Sequence, residues 1–244
     1  MTGVQTCALP ICSGGSGGSG GSSGGGAGGS SGGGAGGTGN DSNTENDVKP
    51  DSDTPKDGKA QRFVDVPETH WASNAINYVA EKGIFKGTSE NKFSPSGKMT
   101  RAMFITALAR YLNGEANSTV KFTDIPADAY YAKAVAWGVD KKIINGISEN
   151  EFGSNMNITR EQVATILHRA ISVSGKSLKE ENIATTTVEF NDAEKISPFA
   201  KESISKLVEM GILTGRDGNM FAPKDTLTRA EAAAIFQRLD TLLK

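Results

Sequence analysis

Beyond residue 61 the apolar residues fall in short runs at helical spacing, separated by stretches rich in glycine, asparagine and serine. Trp71, Ala75, Ile76 and Val79 share one face of a 3.6-residue period, and Phe104, Leu108, Tyr111 and Leu112 share another. Such stripes predict amphipathic helices with one buried face. Local signals frame them. Ser197 before Pro198 predicts a helix start, with a capping hydroxyl and proline at the first helical position. Gly83 and Gly211 are placed to end a helix in the left-handed conformation. Lys142 stands at the equivalent place, a departure that leaves the cap geometry there open.

The pattern occurs three times in register. Counting from Trp71, Tyr130 and Phe199, an apolar residue follows at five (Ile76, Val135, Ile204) and at thirteen (Ile84, Ile143, Ile212). Gly87, Gly146 and Gly215 follow at sixteen, and Phe93, Phe152 and Phe221 at twenty-two. Thr100-Arg101, Thr159-Arg160 and Thr228-Arg229 open at twenty-nine, and Arg110, Arg169 and Arg238 stand at thirty-nine. Upstream lie the triplets Phe63-Val64-Asp65, Phe122-Thr123-Asp124 and Phe190-Asn191-Asp192. A fixed internal period means a repeat architecture. Each unit reads as helix, loop, helix, with the second helix opening at the threonine.

Several positions admit two readings. Thr100, Thr159 and Thr228 precede helices, and a Glu or Gln three residues on makes a capping box, which Gln162 and Glu231 supply and Met103 cannot. These residues need no ligand to explain them. Arg101, Arg160 and Arg229 oppose the helix dipole at the first helical position. A guanidinium beside free amides is an anion site; the competing reading pairs each arginine with Asp65, Asp124 or Asp192. The aspartates themselves read as turn-bonding residues. Trp71, Tyr130 and Phe199 are expected in the core, with stacking on a sugar face as the alternative for each, and Trp137 lies outside the register. Gly87, Gly146 and Gly215 imply either a positive φ or a close approach.

Composition divides the chain. Ser13–Gly39 holds 17 glycines in 27 residues and nothing apolar larger than alanine, too little to offset ordering entropy. Residues 40–61 are polar and mildly acidic, so 13–61 is expected to be a disordered tail and linker. Repeats are expected over 62–112, 121–171 and 189–241, long enough together for a core without disulfides. Past residue 61 there are 23 Lys+Arg against 22 Asp+Glu, without the basic excess of a nucleic-acid binder. No apolar run of about 18 residues suggests membrane insertion. His70 and His168 occupy different repeat positions, and both cysteines, Cys7 and Cys12, lie outside the repeats. An enzyme therefore finds little support, and no catalytic residue, metal or cofactor is expected. Met1–Cys12 resembles a translated sequencing adapter, and residues 1–12 are left out of fold reasoning on that ground.

The residues quoted resemble the S-layer homology repeat: Phe-x-Asp, a following aromatic, a glycine-bearing helix exit, then Thr-Arg-Ala-Glu, which Thr228-Arg229-Ala230-Glu231 carries intact. The resemblance implies a mainly α fold of three repeats in a pseudo-threefold spindle. It implies non-covalent anchoring of a secreted protein at the cell surface of a Gram-positive bacterium. The partner would be a secondary cell-wall polymer on peptidoglycan, anionic and pyruvylated, held in grooves between repeats. Arg101, Arg160, Arg229, Gly87, Gly146, Gly215, Asp65, Asp124, Asp192 and Trp71 are the glycan-contact candidates on that basis. A module that binds other surface-layer proteins is the alternative.

Overall fold

The computed structural model describes residues 63–116, 118–119, 121–177 and 189–243. The expectations for residues 1–12 and 13–61 fall outside the described residues. Among the described residues six α-helices follow in order: α1 Ser73–Glu81, α2 Arg101–Tyr111, α3 Ala132–Asp140, α4 Arg160–Ser174, α5 Lys201–Glu209 and α6 Arg229–Leu242. Short 3-10 turns, Ala193–Lys195 and Pro198–Ala200, precede α5. Extended pairing among the described residues is confined to isolated bridges. The fold is mainly α, two helices to a unit.

Neither helix of a unit buries its stripe against its own partner alone. The second helix packs on the first helix of the next unit, α2 on α3 and α4 on α5, and α6 returns to α1. The three units therefore close into a ring. At its centre the Met99 amide donates to the Leu227 carbonyl (2.8 Å), Leu227 to Ile158 (3.0 Å) and Ile158 back to Met99 (2.9 Å). These residues stand one place before the capping threonines, and all three side chains are fully buried. Phe93, Phe152 and Phe221 fill the surrounding core. The closing pair carries an added link: the Tyr78 hydroxyl donates to Asp240 (2.6 Å), which also faces Lys82 at 3.3 Å.

Helix ends follow the backbone more strictly than the side chains. Gly83 and Gly211 adopt φ of 67° and 70°, and Lys142 takes the same turn at 57°. The Lys142 amide donates to the Val139 carbonyl at 2.9 Å, the same turn bond that Gly83 and Gly211 make to Ala80 and Val208. Ser197 departs from expectation, because its hydroxyl makes no cap. Its amide and hydroxyl both donate to Glu161, at 3.1 and 3.2 Å, and Lys224 completes the cluster at 2.6 Å. The carboxylate thus fixes the start of the third unit from the second. Trp137 is buried, and Gly114 is pressed so close that a Cβ there would lie 2.3 Å from the indole.

Candidate functional site: the inter-repeat seam and its grooves

Each second helix begins at a seam with the next unit. Thr100, Thr159 and Thr228 accept the amides of Met103, Gln162 and Glu231 at 3.2, 3.4 and 3.2 Å. Gln162 and Glu231 return the bond to the threonine amide, at 3.2 and 2.8 Å. The two amides before them are also satisfied. Arg101 and Ala102 donate to Met156 and Ser154, Arg160 and Glu161 to Asp225 and Pro223, and Arg229 and Ala230 to Gly97 and Pro95, all within 3.1 Å. The free-amide anion site expected from the sequence is therefore filled by the protein's own carbonyls.

The arginine side chains serve the same seam. Arg101 donates through Nε to Phe152 O (3.0 Å) and through Nη2 to Asn145 O (2.7 Å). Arg160 reaches Phe221 O and Thr214 O, each at 2.8 Å. Arg229 closes the cycle on Phe93 O (2.7 Å) and Lys86 O (2.8 Å). Each guanidinium also lies over the ring of that phenylalanine, 4.5–4.8 Å from its centre. Carbonyl oxygens and a π-face offset the unfavourable helix dipole, which explains a cation at this position. Burial lowers the pKa of Arg101 and Arg229 to about 10, so both remain charged near neutrality, and it lowers that of Arg160 in the same direction.

The aspartates hold the same loop residues from the other side. Asp65 accepts the amides of Phe93 and Ser94, Asp124 those of Phe152 and Gly153, and Asp192 those of Phe221 and Ala222, all at 2.7–2.8 Å. One phenylalanine is thus gripped at its N–H by the aspartate of its own unit and at its C=O by the arginine of another. The aspartate–arginine pairs of the competing reading do not form; the two charges share a peptide-bearing residue instead. Gly87, Gly146 and Gly215 are close approaches, not positive-φ positions. A Cβ at each would meet the ring of Phe63, Phe122 or Phe190 at 2.9, 2.6 and 2.8 Å. That side of the glycine belongs to the protein, not to a sugar. The arginines, glycines and aspartates singled out as ligand contacts are first of all parts of the scaffold.

Trp71 and Tyr130 correct the core expectation in the other direction. The first helices start two residues after these aromatics, and Ala72 and Ala200 take the buried place. Trp71 is left 66% exposed and Tyr130 41%, while Phe199 is half-buried. Trp71 stacks on His70 with ring centres 5.8 Å apart. It faces a groove of about 700 Å³ whose lining includes Thr214, Arg216, Glu231, Ala234 and Arg238 of the third unit and Arg160 of the second. The same construction lies beside Arg110, Tyr130 and Arg229, with a cavity of about 30 Å³. Beside Arg101 and Arg169 the cavity is about 10 Å³.

The side chains that sequence reasoning passed over are Arg238 and Arg216. Arg238 lies on the groove face of α6, one and two turns beyond Ala234 and Glu231. Its hydrogen-bond partner among the described residues is the Thr214 hydroxyl, at 3.3 Å, and burial lowers its pKa. Arg216 forms ion pairs with Asp225 and Glu231, each at 2.5 Å. Recurrence of arginine at one helix position in every unit was the signal available for Arg238. Arg216 breaks the repeat, and the repeat register hides it.

A closed ring of three helix-loop-helix units, pinned by Thr-Arg helix starts, defines an S-layer homology module. The family model described as the S-layer homology domain matches residues 62–103, 121–164 and 189–233, and the chain belongs to that family. Its relatives include the exoglucanase XynX of Acetivibrio thermocellus, 36% identical over 74% of this chain and 16% of that protein. S-layer protein sap of Bacillus anthracis is 33% identical over 77% of this chain and 22% of its own length. The amylopullulanase of Thermoanaerobacterium thermosulfurigenes is 35% identical over 72% of this chain and 9% of its own. The chain thus spans less than a quarter of the curated relatives it matches. Among the described residues no helix is long and apolar enough to cross a membrane, and no acidic, histidine or cysteine group of three or more is placed to hold a metal ion.

Proposed function

We propose that this module anchors a bacterial surface protein non-covalently to the cell wall by binding an anionic, pyruvylated secondary polysaccharide, and that it does no chemistry of its own. The open groove carries the reading. It sets an exposed indole, suited to the apolar face of a sugar, beside a guanidinium whose partner is a neutral hydroxyl, suited to a carboxylate. The relatives support a shared, non-catalytic task. An exoglucanase, an amylopullulanase and a surface-layer protein share this segment, and it forms a small share of each. A segment common to proteins named for such different roles fits attachment better than turnover. The cargo, on this reading, is carried by chain beyond these repeats.

Sedimentation of the full chain with purified Gram-positive walls tests the proposal. Walls that retain their secondary polymer are expected to pellet the protein, and walls stripped of it by acid extraction are not. Equal pelleting by both would favour attachment to peptidoglycan or to surface-layer protein instead.

A further inference from the structure

Resting on that reading, we infer that the three grooves are not three equal sites: the module takes one anionic sugar, beside Trp71 and Arg238, and Arg216 is the residue that makes that groove competent. The pseudo-threefold scaffold repeats the seam faithfully, but the groove positions differ between units. Thr214 stands where the other units have Lys86 and Asn145, and Ala234 where they have Thr106 and Thr165. Shorter side chains at both places leave the larger cavity. In the first unit Met103 lines the groove at the position of Glu231, and in the second Gln162 stands there.

Openness alone would not suit an anion, because Glu231 lines the same groove as Arg238, two turns away on α6. Arg216 resolves the conflict. Its guanidinium spans Glu231 and Asp225, neutralising the carboxylate that shares the α6 face with Arg238 and holding it toward the loop, where Asp217 also lines the groove. Glu231 keeps its bond to the Thr228 amide at the same time. Arg238 is then left to an incoming carboxylate. The equivalents of Arg216 are Thr88 and Ile147, which cannot do this. Arg216 is accordingly a positioning residue, acting through Glu231 on the cation that receives the ligand.

Calorimetric titration of the full chain with the methyl glycoside of an N-acetylated amino sugar bearing a cyclic pyruvate ketal is the test, with the ketal-free glycoside as control. The expected result is about one site per chain, about tenfold weaker binding for Arg216→Ala, and recovery of most of that loss when Glu231→Gln is added, since the amide still caps the helix without the charge. Arg110→Ala, in the closed groove of the first unit, is expected to leave affinity unchanged. Two or three sites per chain, an unaffected Arg216→Ala, or no recovery with Glu231→Gln would overturn the inference. Absence of saturable binding while intact walls still pellet the chain would overturn it alone, whereas loss of both would overturn the anchoring reading as well.

Discussion

Two sets of three arginines lie nine residues apart on the same helices, and their environments separate them. Arg101, Arg160 and Arg229 are buried at the seam with two backbone carbonyls each. Arg110, Arg169 and Arg238 line the grooves. Identical side chains on the same helices therefore do different work: the first set joins units, and the second lines the grooves between them, of which the one beside Arg238 is open. Repetition of a charged residue in a sequence does not by itself say which of these it does. The partner decides, and the partner here comes from a different unit.

The largest effect that would break this comparison is at the seam. Arg229→Ala orphans the carbonyls of Phe93 and Lys86 and leaves a void over the Phe93 ring, at the contact where the third unit meets the first. A loss of about 3 kcal/mol or more is expected, read as a lower urea midpoint. That is a large share of the stability of a typical domain. A loss under about 1 kcal/mol would mean the ring does not depend on the seam arginines.

Acid is expected to act next. Burial alone would raise the pKa of Glu231, but bonds from Thr228 and Arg216 outweigh it and hold the carboxyl below its ordinary 4.5. Asp240 is likewise kept below 3.8, with burial opposed by Tyr78 and Lys82. Because the folded values are depressed, their stabilisation is full above the ordinary values and drains as pH falls through the folded ones. Unfolding midpoints should hold steady from pH 7 to about 5 and drop below about 4, and Glu231→Gln with Asp240→Asn should flatten that limb. The smallest expected effect sharpens the backbone account. Lys142→Gly removes the cost of a left-handed lysine and should raise stability by about 1 kcal/mol, seen as a higher melting temperature. A decrease would mean that the lysine side chain contributes more than its backbone costs.

Much of the fold was legible in the sequence because its devices are local. Helical stripes, threonine caps and the left-handed exits depend on residues within a few places of one another, and the register multiplies each signal. The site was less legible. The carbonyls that bind Arg101 belong to residues 44 and 51 positions away and carry no side-chain signature. The exposure of Trp71 depends on where α1 starts, and a shift of two residues turns an expected core aromatic into a groove wall. The opening of one groove rests on Thr214 and Ala234, whose meaning lies only in being smaller than their counterparts.

Wall binding of two variants, each assayed at a temperature where it is fully folded, tests the division of labour most directly. Arg238→Gln should lose most of its pelleting with polymer-bearing walls while melting close to the unaltered protein. Arg229→Lys should melt lower yet pellet normally while folded. The reverse pattern, with the folded seam variant unable to bind and the groove variant binding as before, would contradict the account and return the ligand to the Thr-Arg helix starts.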